Sequence, residues 1–214
     1  MDVRSDDEVL DRLTRRARDF VYSFGVRTEP RRLDLAGWVD AGVPSGRALE
    51  FQRLWGGLVL PPGPFHDGGP KYFDVVDLVR ADTGEWLIEI GPSTTAVPYG
   101  FVIGPDGAFG IVATGWVPLH ASIEGWIESL ALSHDAFTFA QQITRFTNTA
   151  VDSVDLAGLD RVEEVEGVTD TWWCGGGVLV ACSSGEAEAF DAPQTRQVLR
   201  YTGVPDWVPG RGSR

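Results

Sequence analysis

A chain of 214 residues with 43% hydrophobic residues, eight Trp and eleven Phe has the length and apolar content for a packed domain, which argues against disorder throughout. Its 18 basic residues against 31 acidic ones give a formal net charge of −13. Such a field repels phosphate backbones and anionic lipids, so direct binding of nucleic acid or a membrane is disfavoured; it either keeps the protein in solution or matches a basic partner.

The N-terminal segment opens with Ser5-Asp6-Asp7-Glu8, a serine and a glutamate at capping-box spacing. Val9, Leu10, Leu13, Ala17, Phe20, Val21 and Phe24 then recur at helical spacing, which predicts one amphipathic helix. Arg12, Arg15, Arg16 and Arg18 share its other face with five carboxylates, and the expectation is a solvated face of mixed charge. No apolar core of a signal peptide occurs between Met1 and Phe20, and no long apolar run follows, so the expected compartment is cytoplasmic.

Pro44 stands near the start of a second predicted helix through Ala48, Phe51, Leu54 and Trp55, stopped by Gly56-Gly57 before the apolar run Leu58-Val59-Leu60. A Pro/Gly loop from Pro61 to Pro70 holds His66 and Asp67. Strands are predicted at Tyr72 to Val79, Trp86 to Ile90, Gly100 to Ile103 and Phe109 to Ala113, with Pro105-Asp106-Gly107 as a hairpin turn. Their close spacing fits an antiparallel meander. After Pro118, the residues Ile123, Trp126, Ile127, Leu130, His134 and Phe137 predict a third helix from Ser122 to Thr144, with His134 as a core or boundary histidine satisfied by one hydrogen bond.

Beyond Asn148 an acidic stretch from Asp152 to Asp170 precedes Trp172-Trp173-Cys174 and a glycine run, then an apolar strand Val178 to Ala181. The segment Ala187 to Phe190 and a helical piece at Gln194 to Tyr201 complete this part. The expected organisation is an α+β domain at 1–147, with helices packed on a mostly antiparallel sheet of about four to six strands. A C-terminal α/β extension or subdomain spans 148–208, and a loose tail 209–214.

The motifs of several chemistries are missing. His66, His120 and His134 are scattered, with no His-x-x-x-His or Cys-x-x-Cys spacing, so no metal site and no cofactor are expected. Neither Ser93 nor Ser184 lies in a nucleophile elbow, and Gly175-Gly176-Gly177 has no following lysine to make a phosphate loop. Cys174 and Cys182 lie far from every histidine in sequence, and their pairing stays open. No catalytic residue is assigned.

The order of a helix ending in Trp55-Gly56-Gly57, a Pro-rich loop, several strands with Asp106-Gly107 at a hairpin, and Ser122-Ile123-Glu124-Gly125-Trp126 opening a closing helix resembles the SUKH superfamily over roughly residues 30–140. That group includes fungal cell-wall assembly regulators and many bacterial immunity proteins. The resemblance implies an α+β fold, no catalysis and a protein partner, often a polymorphic toxin of the nuclease or deaminase class. It also implies structural roles for Trp55, Gly56, Gly57, Asp106, Gly107 and Trp126.

Residues 33–144 hold 4 basic and 13 acidic residues, a net of −9, so acidity concentrates around the predicted sheet. Asp67, Asp74, Asp77, Asp82, Glu85 and Glu89 are the candidate contacts for a basic protein partner. The remaining alternatives are a regulatory or scaffold module without a toxin partner, and an enzyme whose site only the fold assembles.

Overall fold

The computed structural model describes residues 3–33, 38, 45–65, 71–91 and 99–210. The fold is α+β, as expected, with every strand pairing antiparallel. Among the described residues it carries two sheets of five strands, the second built mostly from the C-terminal part, and a small one of three strands.

The predicted first helix is two: α1 (Val3–Arg12) and α2 (Arg15–Phe24). Thr14 divides them, its hydroxyl accepting the Ala17 N–H at 3.1 Å as an N-cap. Ser5 falls within α1 and not ahead of it. Helix α3 (Gly46–Trp55) ends where the sequence places its stop. Gly57 follows with φ of 77°, and a Cβ there would lie 2.3 Å from the Thr28 carbonyl oxygen, so both backbone freedom and close approach demand glycine.

Strand β1 (Val26–Arg27) pairs with β2 (Leu58–Leu60), which pairs with β3 (Lys71–Tyr72). The first large sheet is a meander of β4 (Val75–Arg80), β5 (Trp86–Ile90), β6 (Gly100–Ile103), β7 (Phe109–Val112) and β8 (Trp116–His120). In the β6–β7 hairpin, Asp106 Oδ1 accepts from Ala108 N at 3.1 Å and Gly107 takes a φ of 96°. Strand β8 is absent from the sequence expectations; its Pro118 is tolerated on an edge strand next to a register shift.

Helix α4 (Ile123–Phe139) starts at Ser122, whose hydroxyl accepts the Gly125 N–H at 3.0 Å. It stops before the predicted Thr144, because Gln142–Thr147 forms strand β9. The β-branched and aromatic residues Ile143, Thr144 and Phe146 favour extended backbone once a partner is present. That partner is β13 (Gln197–Thr202), where a helical piece was expected; it lies between β9 and β12 (Val178–Ser183) and is hydrogen-bonded on both sides. Strands β10 (Asp160–Arg161) and β11 (Asp170–Gly175) complete this second sheet, in the order β10-β11-β12-β13-β9. Its first strand in sequence thus precedes residue 148.

Two apolar clusters meet along α4. Ile123, Trp126, Ile127, Leu130 and Ala131 belong to the cluster of the first sheet and α1–α3, and Leu132 and Ala136 to that of the second sheet. Trp126 stacks on Phe109 with ring centroids 3.9 Å apart, and Trp55 packs on Phe73 at 6.2 Å, so both tryptophans are core residues. His134 Nε2 lies 3.0 Å from the Pro62 carbonyl and its ring packs on Phe20 at 5.0 Å, the boundary position expected. Two short helices, α5 (Gly185–Ala189) and α6 (Trp207–Gly210), lie in the C-terminal part. Among the described residues no helix is long and apolar enough to cross a membrane.

One expectation for the N-terminal face is reversed. Arg12 reaches Glu8 at 3.6 Å and Glu124 at 3.8 Å at the surface. Arg16, in contrast, is 2% exposed and paired with Glu128 of α4. Periodicity placed Arg16 on the polar face, but α2 is covered on that side by α4 and the residues around Val208.

Candidate functional site

The β4–β5 hairpin gathers four of the six candidate acidic contacts. Asp77 and Glu89 are directly opposite each other across β4 and β5. Partial burial and the Asp77 charge push the Glu89 carboxyl above its usual range, because two like charges on paired strands disfavour full ionisation. Asp82 and Glu85 are exposed at the hairpin turn, where the Thr83 hydroxyl donates to Glu85 at 3.2 Å. None of these four carboxylates has an ion pair among the described residues. The one cation of the hairpin, Arg80, lies 5.9 Å over the Trp86 ring and donates to the Gly84 carbonyl at 3.0 Å. Strand β4 is the edge of its sheet.

Asp74 stands apart from this group. Its Oδ1 accepts from Arg31 N at 2.9 Å, Gln52 Nε2 at 2.9 Å and Gly57 N at 3.1 Å, which ties the stop of α3 to the start of β4. That carboxylate is engaged within the fold. Asp67 lies outside the described residues.

A second constellation, unread in the sequence, lies inside. A cavity of about 110 Å³ opens between the two large sheets beneath α4. Lys71, the only lysine of the chain, reaches it from β3, His120 from β8, Ser129 and Ser133 from α4, Asp170 from β11 and Tyr201 from β13. Phe101, Trp126 and Trp172 supply aromatic walls.

The cavity groups are electrostatically displaced. Lys71 is 8% exposed, its ammonium 4.9 Å above the Phe101 ring, and burial pushes its pKa down. His120 lies 2.9 Å from the Val165 carbonyl through Nδ1, which must therefore carry the hydrogen; burial lowers its pKa to about 4 and keeps the ring neutral. Asp170 accepts from Ser184 N and Gly185 N, both at 3.0 Å, yet burial outweighs these bonds and raises it to about 6. The Tyr201 phenol makes no well-aligned hydrogen bond. Burial pushes it up to about 12, and Ser133 offsets this only in part.

Cys182 also lines this space, on β12, while Cys174 lies on β11; both thiols are free. Burial raises both, so neither is an activated nucleophile. Among the described residues no cluster of three or more His, Cys, Asp or Glu side chains could hold a metal ion. The one sequence signal for the cavity was the solitary lysine of a strongly acidic chain; the other members come from elements up to 130 residues away and carry no motif. Compared with known proteins, the chain matches no family model, no curated relative and no solved structure.

Proposed function

We propose that the chain is an intracellular, non-catalytic binding protein of the immunity type, which neutralises a basic bacterial toxin by covering its active site with the acidic β4–β5 hairpin. The observation that carries this reading is the cross-strand pair Asp77–Glu89, like charges opposed on an edge hairpin and in no ion pair among the described residues. Opposed carboxylates cost a sheet stability when it stands alone. A basic partner surface removes that cost on docking, and the surrounding field steers its approach. Asp82 and Glu85 extend the same sign to the hairpin turn. The resemblance over residues 30–140 supports the same class of partner.

The test compares the native chain with the triple charge reversal Asp77→Lys, Asp82→Lys, Glu85→Lys, each captured from the native cell at low and high salt. The reading expects a basic protein retained by the native chain at low salt, released at high salt, and lost by the variant. Co-expression of that protein should arrest growth unless the native chain is present. Equal retention by both chains at both salt concentrations overturns the electrostatic docking, and failure to protect growth overturns the immunity role.

A further inference from the structure

We infer that the cavity between the two large sheets binds a small monocarboxylate with a flat apolar body, with Lys71 as its counter-ion. This goes beyond the partner surface and does not depend on it. Burying an ammonium is costly unless an anion or several acceptors meet it. Lys71 is 8% exposed, yet among the described residues it has no hydrogen bond and no carboxylate within 4.0 Å, only the Phe101 ring beneath it. A chain with 31 acidic residues has spare carboxylates, so a largely buried lysine with no anionic partner among the described residues is an arrangement that a bound anion would complete.

A second, independent observation points the same way. The Tyr201 hydroxyl, fully buried on the wall of this cavity, makes no well-aligned hydrogen bond among the described residues, with Ser133 near it. Buried phenols ordinarily find partners, and an anionic oxygen is the acceptor this one lacks. The Ser129 hydroxyl already accepts from Trp172 Nε1 at 2.9 Å, so its own hydrogen is available to a guest. His120, neutral with Nδ1–H on Val165, offers a lone pair and adds no positive charge.

Charge and size define the guest. Lys71 is the one cation of the lining, and the carboxylates of Asp170 and Glu186 on the same lining repel added negative charge, so the guest carries one charge at most, held at Lys71, and a phosphate dianion is rejected. A space of about 110 Å³ far exceeds the roughly 10–15 Å³ that one water needs, and its aromatic lining suits a ring.

The test is calorimetric titration of the full chain with benzoate, benzyl alcohol and inorganic phosphate, repeated on Lys71→Met and Tyr201→Phe. Benzoate is expected to saturate one site, benzyl alcohol to bind at least ten-fold more weakly, and phosphate not at all. Lys71→Met should lose at least ten-fold in benzoate affinity while keeping that for benzyl alcohol, and Tyr201→Phe should lose several-fold. Reductive methylation with ¹³C-formaldehyde gives a single lysine resonance in this chain, and benzoate should shift it even if Lys71→Met fails to fold. Absence of saturable benzoate binding, an unmoved lysine resonance, or phosphate binding as tight as benzoate overturns the proposal.

Discussion

Arg16 and Glu128, 112 positions apart in the chain, meet as an ion pair with both side chains 1% exposed. Arg16 Nε donates to Glu128, Nη1 donates to the Val208 carbonyl at 2.6 Å, and Nη2 stands against Glu128 without a well-aligned hydrogen bond. The Thr14 hydroxyl donates to the other carboxylate oxygen, so the residue that caps α2 also anchors it to α4. Removing one partner leaves a charge without compensation in the interior, which typically costs about 3–5 kcal/mol. Arg16→Met alone is therefore expected to destabilise the protein by that order in urea unfolding. Arg16→Met combined with Glu128→Leu should recover most of the loss.

Gly57 and Gly107 both have positive φ, 77° and 96°, but differ in surroundings. A Cβ at Gly57 meets the Thr28 carbonyl oxygen at 2.3 Å, whereas one at Gly107 meets nothing within 4 Å. Gly107→Ala should cost only the left-handed backbone penalty, about 1 kcal/mol. Gly57→Ala must also separate α3 from the 28–30 segment, and its unfolding midpoint is expected to fall clearly further.

The pH dependence of stability contains two opposed contributions. Folded Asp170 holds its proton up to about pH 6, whereas a usual aspartate releases it near 3.8, so this group lowers stability as pH rises from 3.8 to 6. Folded His120 takes up a proton only near pH 4, against the usual 6.5, so its contribution is complete above 6.5 and lost as pH falls towards 4. Each spans ~3 kcal/mol and they largely cancel between pH 4 and 6. Relative to the native chain, Asp170→Asn should gain stability as pH rises through that window, and His120→Asn should lose it. Urea midpoints measured at half-unit pH steps read both slopes.

The two cysteines should behave as inert thiols. Burial raises both and neither is bridged. At pH 7 a disulfide reagent is expected to react with them at least about ten-fold more slowly than with free cysteine. In denaturant both should titrate at once.

What the sequence made legible was local. The stop at Gly56-Gly57, the Asp106-Gly107 turn and the Ser122 cap each rest on backbone chemistry within a few residues, and each stands where the spacing placed it. Strands β9 and β13 were misread because they are set by pairing with each other across 50 residues and more, where a short mixed segment has no preference of its own. Arg16 was misplaced because helical periodicity identifies the faces of a helix but not how many are covered. The acidic contacts divided for a similar reason: Asp74 differs from Asp77 only in the donors that the fold brings to it. The cavity was illegible because its members come from separate strands and helices scattered along the chain.

Strand β9 closes the second sheet against β13, and Arg16 bonds the Val208 carbonyl. During synthesis the first sheet can therefore complete as soon as β8 has left the ribosome, while β9 must wait for β13, about eighty residues further on, and Arg16 for Val208, about ninety. In that interval the buried arginine and one strand edge stand open to solvent. This nascent stage, rather than the finished fold, is where slowed translation or a truncated product would aggregate.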